Sequence, residues 1–339
     1  MRPFHYQRAS DLAEAVGTAS QTANPVPPTL APVQFLAGGT TILDLMKLDV
    51  MQPEVLVDIR DLGPGGRRIE QRDNALYLGA FVTMADAAEH PAVKQNYPVL
   101  VQSLELAASP QLRNMATLGG NLLQRTRCSY FRDPSWSQCN KRQLGSGCAA
   151  LEGVNRKHAV LGVSKNCIAT YPGDFAQALV ALDAVAEIVG PAGNRLAEVE
   201  ALHREPGDTP HIETNLLPGE VIVGFLIPQA AWARRSLYLK IRDRQSYEFA
   251  LASAAVALDL VDGNVSSARI ALGGVATKPW RAREAEAVLH GRKFDEALAQ
   301  RAADAAFTQA EPHGDNQYKR ELGKRVLVRA LLQTAQMTI

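Results

Sequence analysis

An α+β fold, organised as short antiparallel meanders rather than one large sheet, is predicted by three observations. Short strand-like apolar runs recur along the chain and stop at glycine, proline or Asp/Asn turns. Segments with helical spacing lie between them. The 339 residues are enough for two or three domains, each with its own core, and no repeat or low-complexity tract organises them otherwise.

The elements follow in order. Phe4-His5-Tyr6 reads as a short strand, and Ser10 as the cap of a helix through about Thr18 with Asp11 in its first turn. Thr22–Pro32 carries Pro25, Pro27, Pro28 and Pro32 and reads as a loop. The buried strand Val33-Gln34-Phe35-Leu36-Ala37 then meets Gly38-Gly39-Thr40-Thr41, and Ile42–Lys47 has helical spacing. Val55–Ile59 is a strand, Gly63–Gly66 a turn, and Leu76–Ala80 a further strand. Thr83 caps a helix toward His90, and Pro98–Ala108 continues as helix. The run Arg113–Gln124 is strand-like and broken by Gly119-Gly120. Phe175–Ala184 is helical, Ala186–Val189 alternates like a strand before the Pro191–Asn194 turn, and Val221–Ile227 is an apolar strand closed by Pro228. Strands at Arg234–Lys240, Phe249–Asp259 and Ser266–Leu272 follow, the last two joined through Asp262-Gly263-Asn264. Helices at about Ala282–Leu289, Asp295–Phe307 and Tyr318–Met337 complete the chain.

Charge excludes some functions. With 36 basic against 35 acidic residues and no long run of either sign, neither nucleic acid nor an anionic membrane is expected as the main partner. No apolar run of transmembrane length is present, and the N-terminal Met1–Tyr6 lacks the apolar region of a signal peptide. A soluble chain without an export signal of its own is expected.

Two stretches carry candidate chemistry. Strand, Gly38-Gly39, Thr40-Thr41 and helix start make an anion cradle, because glycine lets backbone N–H groups approach a phosphate and a helix start favours negative charge. It has neither the G-x-G-x-x-G spacing of a dinucleotide fold nor the G-K-[ST] of a P-loop, and taken alone it is an ordinary strand–turn–helix corner. The second stretch holds all four cysteines, Cys128, Cys139, Cys148 and Cys167, spaced C-x10-C-x8-C-x18-C within 40 residues. Random placement would crowd them so in only about one chain in 150. No C-x-x-C pair is present, so a zinc ribbon or thioredoxin-type site loses support, while a four-cysteine zinc site and two disulfides stay open. The histidines at 5, 90, 158, 203, 211, 290 and 313 show no metal spacing; His158, inside the cysteine stretch, is the one with a functional reading.

The ordered set Leu36-Ala37-Gly38-Gly39-Thr40, Leu45-Met46-Lys47, Arg113-Asn114, Thr117-Leu118-Gly119-Gly120-Asn121 and Gly173-Asp174 resembles the FAD-binding subunit of the molybdenum hydroxylases, the xanthine dehydrogenase/aldehyde oxidoreductase family. Arg242, Ser246–Ala250 and Gly273–Ala276 are similar to that family's flavoprotein C-terminal domain, so the resemblance spans essentially the whole chain. It implies a PCMH-type FAD-binding domain of two α/β subdomains (1–57 and 58–228) and a C-terminal domain (229–339) with a small antiparallel sheet packed by helices. By the resemblance, the turn Phe35, Leu36, Ala37, Gly38, Gly39, Thr40, Thr41, Ile42 and Leu43 wraps the FAD diphosphate. Ala116, Thr117, Gly120, Asn121 and Gln124 form a second wall, and Asp174 accepts from a sugar hydroxyl. Lys240, Ile222, Tyr247 and Phe249 would lie near the flavin ring, although an aromatic on a strand is as often core packing.

Between Asn121 and Asp174 stand 52 residues, and all four cysteines fall there. This insertion, about 125–172, resembles a subgroup with a [4Fe–4S] cluster in this subunit, found in bacterial three-subunit aldehyde oxidoreductases. The resemblance implies Cys128, Cys139, Cys148 and Cys167 as cluster ligands, with Arg127, Arg132, Lys141 and Arg142 available to offset its charge. It further implies a large molybdenum-cofactor subunit and a small [2Fe–2S] subunit as partners, with FAD passing electrons to an external acceptor and no substrate oxidation on this chain. A location in the periplasm by co-export with a signal-bearing partner is the expectation, with the cytoplasm as the alternative. Two rival readings are a self-sufficient FAD oxidoreductase of the same fold, and a non-redox assembly subunit whose cysteines hold zinc.

Overall fold

The structure, a computed structural model, describes residues 1–20, 28–62 and 65–339. The expected loop at Thr22–Pro32 lies mostly outside these residues, as does Gly63 of the expected Gly63–Gly66 turn.

Three sheets form the frame. The first contains β1 (His5–Arg8), β2 (Val33–Leu36) and β3 (Val55–Asp58), in the order β1-β3-β2. Both outer strands run parallel to β3. The expectation of antiparallel meanders therefore fails here. Parallel neighbours need a crossover, and the helices Leu12–Ser20 and Ile42–Lys47 stand between successive strands. At the first helix the side chain of Asp11 accepts the Glu14 N–H at 2.8 Å, while Glu14 accepts the Ser10 N–H at 2.8 Å, so the cap is centred on Asp11 rather than Ser10.

The second sheet adds β4 (Ile69–Arg72), β5 (Ala75–Gly79), β6 (Val185–Gly190), β7 (Gly193–Glu198) and β8 (Val221–Pro228), ordered β4-β5-β8-β6-β7 and antiparallel throughout. The edge strands β4 and β7, Ile-Glu-Gln-Arg and Gly-Asn-Arg-Leu-Ala-Glu, were not expected. Polar side chains on a sheet edge leave no apolar run to read. Helices Met84–Glu89, Pro98–Glu105 and Phe175–Ala181 cover this sheet and complete the largest core.

The third sheet is β9 (Ser236–Ile241), β10 (Ala252–Val261), β11 (Asn264–Gly273) and β12 (Trp280–Arg281), ordered β12-β11-β10-β9 and antiparallel. Asp262 and Gly263 take φ of 51° and 78°, the left-handed pair that a two-residue hairpin needs. Helices Arg283–Leu289, Glu296–Ala306 and Tyr318–Ala335 close the second core over it. The C-terminal unit matches the small antiparallel sheet packed by helices that was expected.

The run Arg113–Gln124 is helical, not strand-like. Thr117 accepts the Gly120 N–H at 3.2 Å and starts the helix Leu118–Leu122, whose ends Leu118 and Leu122 are both fully buried. The insertion that follows has one short helix, Ser129–Arg132, and is otherwise turns.

Candidate functional site

A cavity of about 220 Å³ opens where the first two sheets meet. The turn after β2 forms one wall through Phe35, Ala37, Gly38, Gly39, Thr40, Thr41 and Ile42, and Thr117 and Gly120 form the facing wall. The two turns are in contact: a Cβ placed on Gly38 would fall 1.9 Å from the Met115 carbonyl oxygen. Gly39, at φ 75°, reverses the chain into the helix Ile42–Lys47. Gly120 differs from both. A Cβ there would meet only Thr117 Oγ1, at 3.0 Å, so its open side faces the cavity.

A third wall, absent from the expectations apart from Ile222, comes from Glu213, Thr214, Leu216, Pro218, Gly219, Glu220 and Val221. The Pro218-Gly219 turn that leads into β8 is the sequence signal for this wall. Both carboxylates in this wall are neutralised. Glu220 takes Arg195 at 2.6 and 2.7 Å. Glu213 takes Arg125 Nε at 3.0 Å and Lys141 Nζ at 3.0 Å. Burial raises the Glu213 pKa, but Arg125 and Lys141 outweigh it and hold the carboxyl at about 2.

Other expected residues stand off the cavity. Leu36 and Leu43 turn into the small core beside the helix Ile42–Lys47, and Ala116 is buried with its carbonyl accepting the Met84 N–H at 2.9 Å. Gln124 donates to the Asn121 carbonyl at 2.9 Å. Asn121 donates to Met84 Sδ at 3.3 Å, and its Oδ1 is buried without a partner. Asp174 is 3% exposed and pairs with Lys240 at 2.7 Å, its other oxygen accepting from Tyr238 Oη at 2.5 Å. Lys240 also donates to the Leu106 carbonyl at 3.0 Å. These two expected flavin contacts thus meet each other. Tyr247 is 56% exposed in a left-handed turn, and Phe249 lies under the Arg127 guanidinium, 4.8 Å from ring centre to carbon.

The cysteine stretch packs against this site. Cys139 and Cys148 face each other across an antiparallel bridge, and Cys128 precedes the helix Ser129–Arg132. All four are free thiols. Burial pushes the Cys128 thiol up to about 12 and raises those of Cys148 and Cys167. Backbone N–H groups point at Cys128, Cys148 and Cys167, that of Ala169 reaching Cys167 Sγ at 3.4 Å. Among the described residues no three His, Cys, Asp or Glu side chains are grouped to hold one metal ion. The four basic residues expected to offset cluster charge are already committed. Arg127 and Arg132 grip Asp44, each at 2.9 Å, Lys141 holds Glu213, and Arg142 donates to the carbonyls of Tyr130, Phe131 and Trp136.

Residues 2–230 match the FAD binding domain in molybdopterin dehydrogenase, and residues 237–334 match the CO dehydrogenase flavoprotein C-terminal domain. The chain belongs to the FAD-binding subunits of the molybdenum hydroxylase family. Among its relatives, the aldehyde oxidoreductase FAD-binding subunit PaoB of Escherichia coli (strain K12) is 46% identical over 335 residues, 98% of each chain. The carbon monoxide dehydrogenase medium chain of Hydrogenophaga pseudoflava is 27% identical, covering 97% of this chain and 96% of that one. A solved structure of carbon monoxide dehydrogenase from the same organism superposes with a TM-score of 0.75 at 29% identity, over 99% of this chain and 98% of its own.

The cavity suits the flavin nucleotide of this family on its own chemistry. Gly38, Gly39 and Gly120 line it with Thr40, Thr41 and Thr117, the open side of Gly120 faces it, and its two carboxylates, Glu213 and Glu220, are neutralised. The cysteine stretch offers four free thiols, and backbone N–H groups are aimed at Cys128, Cys148 and Cys167, a donor set that fits a cysteine-ligated iron–sulfur cluster.

Proposed function

We propose that this chain is the electron-transfer flavoprotein subunit of a molybdenum-dependent aldehyde oxidoreductase. In this reading FAD lies in the cavity between the two glycine turns, and a [4Fe–4S] cluster sits on Cys128, Cys139, Cys148 and Cys167. One observation supports it most: the Arg125–Glu213 pair lines both the glycine-walled cavity and the small crevice that reaches Cys167, which favours a flavin and a cluster on its two sides. When bound, FAD supplies two-electron storage and the cluster supplies one-electron transfer.

The chain's own residues bind, position and exclude. Phe35, Ala37, Gly38, Gly39, Thr40, Thr41 and Ile42 on one side and Thr117 and Gly120 on the other hold the nucleotide, with Ile222 packing against it. Asp174 and Lys240, joined in a buried pair, stiffen the seam between the helix Phe175–Ala181 and β9. Tyr247 stays at the solvent edge, where an external acceptor approaches. The 46% identity to an aldehyde oxidoreductase subunit supports the aldehyde as the complex's substrate, oxidised on a partner. The partners are a large molybdenum-cofactor subunit and a small [2Fe–2S] subunit, and the complex resides in the periplasm through a signal-bearing partner. Among the described residues no helix is long and apolar enough to cross a membrane.

Absorption and metal analysis of the purified chain test this. Flavin peaks over broad iron–sulfur absorbance, with about four irons per chain, are expected. Cys139→Ser should lose the iron and keep the flavin. Flavin without iron would remove the cluster, and a colourless zinc protein would remove both assignments.

A further inference from the structure

His158 stands inside the insertion and is 6% exposed. Its Nε2 lies 3.2 Å from Cys128 Sγ, while its Nδ1 is buried with no partner. A histidine serving only as packing turns its nitrogens toward oxygens; this one sets Nε2 within hydrogen-bond distance of a sulfur. A ligating thiolate accepts and does not donate, so the imidazole proton belongs on Nε2.

The segment carrying His158 is held from several sides. The His158 N–H donates to the Asn155 carbonyl at 2.9 Å, and the next residue's N–H donates to the Ile168 carbonyl at 2.9 Å. Beyond the insertion, the turn and helix at the chain's end grip the same segment. The Asp315 N–H reaches Asn155 Oδ1 at 2.9 Å, and Asn316 Nδ2 reaches the Ala159 carbonyl at 3.0 Å. Lys319, fully buried, donates to the Lys157 carbonyl at 2.9 Å and the Gly274 carbonyl at 2.6 Å. The peptide before the imidazole is therefore tied to the C-terminal domain, and the ring is set against Cys128 before any cluster is built.

We infer that His158 is a positioning residue for the cluster, donating its Nε2–H to the Cys128 sulfur and thereby keeping the cluster's reduction potential raised. This rests on the cluster reading above. A hydrogen bond to a ligating thiolate draws charge off the sulfur, and it stabilises the reduced cluster more because that state carries the extra electron. The C-terminal domain, which supplies no cysteine, thus acts on the cluster through the segment it holds.

The test is a redox titration of the iron-loaded full chain, followed by electron paramagnetic resonance, for wild type, His158→Phe and His158→Gln. Phe keeps the ring's bulk without a donor, and Gln restores an N–H. With iron content held near four, the cluster in His158→Phe should titrate at a more negative potential, and His158→Gln should return toward wild type. An unmoved potential in iron-loaded His158→Phe overturns the inference. Should that variant not assemble, wild-type protein carrying 15N-histidine decides by electron–nuclear double resonance of the reduced cluster. A weak nitrogen coupling together with an exchangeable proton supports the hydrogen bond. No coupling, or the large coupling of a nitrogen bonded to iron, overturns it. Wild-type protein that holds flavin but no iron overturns the cluster reading itself, a result separate from an unmoved potential.

Discussion

Replacing Glu213 by glutamine removes the anion from a group that contains two cations. The side chains of Arg125, Glu213 and Lys141 are only 4%, 15% and 13% exposed, so water screens little of what remains. Two routes give the size of the loss. At about 1.4 kcal/mol per pKa unit, a carboxyl held at about 2 in place of 4.5 contributes about 3 kcal/mol. Removing one partner of a buried ion pair costs about 3–5 kcal/mol by comparison with other proteins. Glu213→Gln should therefore destabilise the fold by about 3 kcal/mol at pH 7. The sign with pH follows from the depressed pKa. The contribution is complete above the unfolded value of 4.5 and fades as pH falls through the folded value of about 2. The gap between wild type and variant should narrow by about 1 kcal/mol between pH 7 and pH 3.5. Urea unfolding of both proteins at the two pH values measures it. A loss below about 1 kcal/mol at pH 7, or a gap that does not narrow, would refute the claim that this carboxylate is a desolvated, doubly paired anion.

Three further outcomes are expected. Gly120→Val should fold and lose FAD, because a Cβ there meets only Thr117 Oγ1 and the side chain points into the cavity; flavin content and a melting curve check the two halves, and normal flavin would remove Gly120 from the wall. Lys240→Met should cost about 3–5 kcal/mol by stranding Asp174, and the double variant with Asp174→Asn should recover part of it in the same unfolding assay. Asp44→Ala should release Arg127 and Arg132 and leave the insertion open to protease, so limited proteolysis should cut within residues 125–172 faster than in wild type.

Much of this architecture was legible because local signals and tertiary packing agree. The helix capped by Thr83, the apolar strand Val221–Ile227 and the Asp262-Gly263-Asn264 hairpin each carry their own chemistry, and each forms as expected. The failures occur where the deciding contact lies elsewhere in the chain. Glycines at 119 and 120 suggest a broken strand until Thr117 is seen capping a helix. The parallel N-terminal sheet depends on which strands meet across crossovers, and short apolar runs do not encode that. The glycine pairs at 38–39 and 119–120, about 80 residues apart, come together on one cavity. Glu213 and Arg125 were missed because an ion pair 88 residues apart leaves no local pattern. Asp174 and Lys240 were each read as flavin contacts, and their mutual attraction could not be seen one residue at a time.

The ties on the insertion also fix a timetable. Its arginines reach back 83 and 88 residues to Asp44, whereas Asn155, Ala159 and Lys157 take their partners 160, 157 and 162 residues further on. Contacts of such separation form late, since the intervening chain must first be ordered. On a ribosome the flavin turns emerge and can pack long before Asp315, Asn316 and Lys319 are made. The segment 155–159 that carries His158 is fixed only when the last helix docks, so this part of the insertion is completed at the end of the subunit's folding, after the nucleotide cavity has taken shape.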